Sequence, residues 1–122
     1  MSFVHLHNHS HYSILEGLPK PSSYVKKALE LGMNSVALTD TGNVYGGHEF
    51  YKAAKDAGIQ AILGTEIYTQ SSVDPRLQHK LVLLAKNITG YRNIFEIITA
   101  SHTQSVFPNT PTVSFEVLKK YA

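Results

Sequence analysis

The sequence contains no cysteine and no tryptophan. Without thiols, disulfides and thiolate metal centres are both excluded, and a reducing cytoplasmic setting fits the composition. An excess of charge is lacking too: 11 Lys and Arg stand against 9 Asp and Glu, a net charge of +2 with no dense basic run. That excludes a strong electrostatic footprint for nucleic acid within this chain alone, while contact inside a larger assembly stays open. No apolar run approaches the ~20 residues of a membrane span, and no signal-peptide pattern precedes the first motif. Internal repeats and low-complexity segments are absent. With 122 residues, 43% of them hydrophobic, the chain is one ordinary domain or part of a larger one.

What it does have is histidine, seven in all, four of them in the stretch "HLHNHSHYS" (residues 5 to 13). His5, His7, His9 and His11 alternate, so an extended backbone would turn all four rings to one face. Phe3 to His7 reads as a short strand. "LEGLPKPSS" is a loop, and Ser22 or Ser23 caps a helix that runs to Gly32. "NSVALTD" (34 to 40) reads as a second strand, and a helix follows from His48 to Ala57, closed by Gly58. "IQAILGTEIY" (59 to 68) and "HKLVLLA" (79 to 85) read as two further strands. Then come a helix from Thr89 or Gly90, a tail with Pro108 and Pro111, and a short helix over "SFEVLKKYA". This order predicts an α/β domain built on a mostly parallel sheet, either a small open sheet or half of a (β/α) barrel.

In parallel α/β folds, chemistry collects at the C-terminal edge of the strands. His7 and His9 end the first predicted strand, Asp40 the second and Glu66 the third, whereas His79 opens the fourth. Imidazoles two residues apart on a strand stand roughly 6–7 Å apart at the backbone and can converge on one ion. Histidine with carboxylate and no thiolate suits zinc, manganese or iron. The plainer readings differ by residue. His11, His48 and His102 read as solvated surface side chains, Asp40 before Gly42 also fits a turn carboxylate, and Glu66 also fits a rim charge. His-x-His inside an apolar strand is harder to dismiss, because unpaired imidazoles against a core lose their hydration. "TGNVYGG" lacks the P-loop pattern. Ser10 and Ser13 lie near histidines, but only that proximity suggests a nucleophile.

At these residues the chain resembles the PHP family, named for polymerases and histidinol phosphatases. Within it, the resemblance is to the branch at the N-terminus of bacterial replicative DNA polymerase alpha subunits. "FVHLHNHSHYSILEG" is similar to the first family motif, and "ALTDTGNVYGGHEFYKAAKDAGIQAILGTEIY" to the second and third with their intervening helix. "LVLLAKNITGYRNIFEIIT" is similar to a block typical of the polymerase branch. The resemblance implies a distorted (β/α)7 barrel, of which residues 1–122 form about the N-terminal half, with the remaining motifs and the polymerase domains falling beyond Ala122. It implies up to three divalent ions, zinc or manganese with iron as a further option. His7 and His9 match the first ligand pair, Glu66 the bridging glutamate, Glu16 an acidic ligand position, and His79 a further ligand. Asp40 is left to orient a ligand or position a water.

Two positions depart from the family pattern. Thr41 stands where histidine usually follows the aspartate, and Lys80 stands directly before the apolar run where the family's histidine often lies, so His79 is one residue out of register. The implied activities are a 3′–5′ exonuclease or pyrophosphatase in the full domain, or a structural role docking a proofreading subunit. The alternative is a free-standing phosphatase like histidinol phosphatase. DNA contact would come through the full polymerase. No polymerase activity and little or no nuclease activity is expected of these residues alone, and self-association through open sheet edges is expected.

Overall fold

The computed structural model describes residues 3–107 and 109–122; Pro108 of the predicted tail lies outside them. Helix α1 (Pro21–Glu30) starts on Pro21, whose fixed φ suits the first helical turn, and buries Val25 and Ala28. The predicted serine cap does not form. Lys20 is the N-cap, and Ser22 instead donates to Glu49 Oε1 at 3.3 Å. Strand β1 (Ser35–Leu38) leads to helix α2 (Gly47–Ala57). As its sequence implied, α2 closes on Gly58, in the left-handed region at φ 72°.

Strand β2 (Gln60–Gln70) is the spine of the molecule. Its first half pairs in parallel with β1, Ser35 to Leu38 opposite Gln60 to Leu63. From Gly64 onward it pairs with β3 (Gln78–Leu84), and this pairing is antiparallel. The mostly parallel sheet expected from the element order therefore becomes a mixed one. The short polar connection between β2 and β3 permits only a hairpin, since a parallel return needs a crossover of a dozen or more residues. At Gly64 the strands approach so closely that an added Cβ would lie 2.2 Å from the Leu83 carbonyl. The last elements are α3 (Ile88–Thr103), capped by the Asn87 side chain, β4 (Thr112–Val113), and α4 (Phe115–Tyr121), capped by Ser114. Strand β4 pairs in parallel with Tyr68 and Thr69, on the edge of β2 away from β3.

The predicted first strand is an extended segment without a regular ladder. Ala37 N donates to His5 O and Thr39 N to Asn8 O, while Asn8 uses its own side-chain amide on Ala37 O and its N–H on Thr39 Oγ1. Side-chain groups thus take the places that backbone partners hold in a strand. Two apolar clusters flank the sheet. Val25, Ala28, Val36, Leu38, Phe50 and Ala54 join α1, β1 and α2. Ile67, Ile97, Val113 and Leu118 join β2, α3, β4 and α4. Between them, the ends of β1 and the centre of β2 carry Thr39, Asp40, Thr65 and Glu66, all buried.

Candidate metal centre

Beyond β1 the chain makes one more parallel bridge, Thr41 to Glu66. Glu66 N donates to Asp40 O and Gly42 N to Glu66 O. Gly42 adopts φ 65°, a conformation glycine takes at no steric cost, so the strand can leave the sheet there. This bridge holds Glu66 in the middle of β2 rather than at its end, the strand continuing to Gln70. Its carboxylate is 2% exposed and faces the His-x-His segment.

His7 Nε2 lies 2.6 Å from Glu66 Oε2, His9 Nε2 lies 3.7 Å from the same oxygen, and the two imidazole nitrogens are 3.2 Å apart. Ligand atoms on one tetrahedral ion with bonds of about 2.0–2.2 Å stand roughly 3.4 Å from each other. Two nitrogens and one carboxylate oxygen in this arrangement form the group with metal-binding geometry among the described residues. The donor set fits a divalent ion of borderline character.

The other two histidines of the run stand apart. The His5 ring packs edge-on against Phe3, and His11 lies against Tyr12. Alternation lasts only while the backbone is extended, and after His9 the chain turns: Ser13 N donates to Ser10 O, and Glu16 N and Gly17 N both donate to Ser13 O. That turn brings Glu16 Oε2 to 3.4 Å from His9 Nδ1 and into a hydrogen bond from Thr41 Oγ1. Gly17 permits it, because a Cβ there would fall 2.3 Å from Ser10 O and 2.6 Å from His9 O.

Asp40 is 1% exposed and turned to the chain rather than to the cleft. Its carboxylate accepts from Ser10 N at 2.6 Å, Ser10 Oγ at 2.8 Å and Ser13 Oγ at 2.7 Å. Ser10 and Ser13 thus serve as anchors of the turn on the end of β1. Tyr24, which the sequence did not single out, donates its hydroxyl to His9 O at 2.7 Å. Burial, and then the Asp40 charge, hold the Tyr24 phenol above its ordinary pKa.

The register turns Lys80, rather than the proposed ligand His79, toward Glu66. His79 pairs with Thr69, while Lys80 pairs with Tyr68, two residues from Glu66. Cross-strand partners share a face and the next pair shares the opposite one, so His79 faces away from Glu66. Lys80 Nζ reaches Glu66 Oε1 at 2.8 Å and Glu16 Oε1 at 3.8 Å. Burial alone would push the Glu66 carboxyl up, but the Lys80 hydrogen bond and charge, aided by His9 and His7, hold it below the usual range. The same hydrogen bond raises Lys80. An open cleft of about 480 Å³ adjoins His7, His9, Glu16 and Tyr24. A second, of about 540 Å³, runs past Glu16 and Thr41 between Tyr12, Tyr45 and Tyr68.

The profile of the PHP domain matches residues 5–122. The chain belongs to the PHP domain family. Curated relatives of this PHP chain include DNA polymerase III alpha subunits. That of Borreliella burgdorferi is 38% identical over 128 residues, 98% of this chain, and that of Aquifex aeolicus is 35% identical over 132 residues, again 98%. The chain spans 11% of the length of each. Among solved structures, a protein described as a metal-dependent phosphoesterase of Bifidobacterium adolescentis superposes with TM-score 0.63 at 24% identity, over 80% of this chain and 32% of its own. A two-domain protein of Bacteroides vulgatus, described as containing a PHP-like metal-dependent phosphoesterase, gives 0.53 at 19% identity, over 95% and 40%. The fold is thus that of the PHP barrel, a distorted (β/α)7 architecture of which this chain covers a part. No helix among the described residues is long and apolar enough to cross a membrane.

Proposed function

We propose that residues 1–122 are the N-terminal part of the PHP domain of a replicative DNA polymerase III alpha subunit, carrying a phosphoesterase-type metal centre. The observation behind this reading is the convergence of His7, His9 and Glu66 within a chain similar over nearly its whole length to such subunits. His7 Nε2, His9 Nε2 and Glu66 Oε2 would be the ligands, and zinc or manganese suits two imidazoles and a carboxylate better than harder ions do. Glu16 would orient His9 through Nδ1, the usual part of an outer carboxylate beside a liganding histidine. Asp40 would act one step further out, fixing the turn that carries His9 and Glu16. A bound divalent ion supplies a lowered water pKa and an electrophile for a phosphoryl oxygen. The chain's own residues would fix the imidazoles and admit a phosphoester through the two clefts, the second of them lined by Tyr12, Tyr45 and Tyr68.

In the full polymerase this centre would serve 3′–5′ exonuclease or pyrophosphatase chemistry in the cytoplasm. DNA would be held by the other polymerase domains, and a proofreading subunit would dock nearby. A structural role with a reduced metal site is the second reading, favoured by Thr41 and Lys80 in positions where metal ligands are usual in the family. Elemental analysis of the purified chain beside a His7→Ala, His9→Ala variant tests the proposal. Near-stoichiometric metal lost by the variant is expected, and metal-free chain in both would leave the structural reading.

A further inference from the structure

Glu66 divides its two oxygens. Oε2 faces the imidazoles of His7 and His9, and Oε1 faces the ammonium of Lys80 at 2.8 Å. A buried carboxylate placed like this joins two cationic positions. The imidazole side is open to an ion from solution, whereas the other side is already filled by a cation tethered to the chain. We propose that Lys80 is the built-in cation of this centre, holding Glu66 Oε1 and Glu16 and limiting the site to one divalent ion on His7, His9 and Glu66 Oε2. The inference rests on the reading of the centre as a metal site.

Three features fix the ammonium where it is. The antiparallel register places Lys80 diagonally across from Glu66 on the same face. Its charge lies 5.4 Å from the centroid of the Tyr68 ring, a cation–π distance that restrains the long side chain. Glu16, delivered by the Ser13–Gly17 turn, offers a second oxygen at 3.8 Å. An ammonium is a compact point charge with three donors, so it satisfies oxygens that a second metal ion would otherwise share. Being attached to the strand, it is not diluted away, and an incoming ion must displace it. Thr41 Oγ1 completes this half of the site with contacts to Glu16 Oε2 and to Glu66 Oε1, the latter at 3.5 Å. A hydroxyl offers an ion less than an imidazole or carboxylate does.

The test compares the native chain with Lys80→Gln, Lys80→Met and Lys80→Arg, each dialysed against manganese and assayed for bound metal and for its thermal midpoint with EDTA or manganese. Lys80 is half-exposed, so these changes leave the core intact, and methionine keeps an apolar stem on Tyr68 should glutamine loosen the hairpin. The native and arginine chains are expected to bind one ion. The two neutral variants should bind two, the second about tenfold or more tighter than any further ion on the native chain, since removing a neighbouring charge at this range is worth at least that. Their midpoints should also rise further on adding manganese. One ion on all four chains with unchanged affinity would overturn the proposal and leave the metal-site reading standing, as would two ions on the native chain. No metal on any of the four would overturn the reading itself and the proposal with it.

Discussion

At the scale of single residues, the candidate site depends on groups outside the His7, His9 and Glu66 cluster. Asp40 accepts three short hydrogen bonds while almost wholly buried. In Asp40→Asn one acceptor becomes a donor facing another donor. A loss of about 2 kcal/mol is expected, the usual cost of a charge-assisted bond removed in a buried setting, and urea unfolding measures it. Tyr24→Phe removes the single hydroxyl that fixes His9 O. About 1 kcal/mol of stability should go with it, and metal affinity should fall severalfold while the stoichiometry stays at that of the native chain. A manganese titration that shows unchanged affinity would remove Tyr24 from the positioning of His9. Tyr24 could not be read as part of the site beforehand, and Ser10 and Ser13 were legible only by proximity, not as anchors. Their partners are backbone atoms and a carboxylate 15 to 30 positions away, and nothing in local spacing marks such a pairing.

Among the elements, the turn between His9 and α1 is the most exacting. Leu15 lies at φ 69° and is fully exposed. A leucine there carries left-handed strain of about 1–2 kcal/mol, which glycine lacks, set against glycine's entropy cost of about 0.5–1 kcal/mol. Leu15→Gly should therefore leave stability unchanged or raise it by up to about 1.5 kcal/mol, whereas Gly17→Ala, with a Cβ driven into two carbonyls, should lower both stability and metal binding. Thermal unfolding of the pair checks both signs. Most helices and strands were legible from periodicity and from their glycine and proline punctuation. The N-terminal strand was not, because Asn8 and Thr39 use side chains where a ladder would use backbone, and the alternating sequence reads the same in either case. The antiparallel sense of β3 did not follow from element order, which suggested only a mostly parallel sheet, while the short polar connector decided for a hairpin.

For the molecule as a whole, pH reports on the centre. In the metal-free chain Glu66 titrates lower when folded than when unfolded. The unfolded chain then binds more protons, so this group's stabilisation is complete above about pH 4.3, the unperturbed glutamate value, and is lost as pH falls through the depressed folded value. The stability difference between native chain and Glu66→Gln, measured in EDTA, should narrow steadily from about pH 5 downward. A difference that stays constant with pH would place the value of Glu66 in packing rather than charge. Away from the site, Phe50 is wholly buried between α1, β1 and α2. Phe50→Ala should cost about 3–5 kcal/mol, read from urea unfolding, without altering the ligands themselves.

By itself the sequence determined the set of candidate donor residues and the class of fold. Alternating histidines followed by Glu66 on an apolar strand, in a chain without thiols, admit an imidazole–carboxylate centre on an α/β scaffold. The spacing of residues is enough there because the extended backbone between His7 and His9 repeats every two positions. Only the tertiary structure decided which further groups join that centre. Whether His79 or Lys80 faces Glu66 depends on the register of two strands joined by a hairpin, and a shift of one residue exchanges them. Whether Asp40 meets the cleft or the chain depends on a turn closed by Ser10 and Ser13. Those are contacts across space between segments far apart in sequence, and they form only when the sheet brings both sides together.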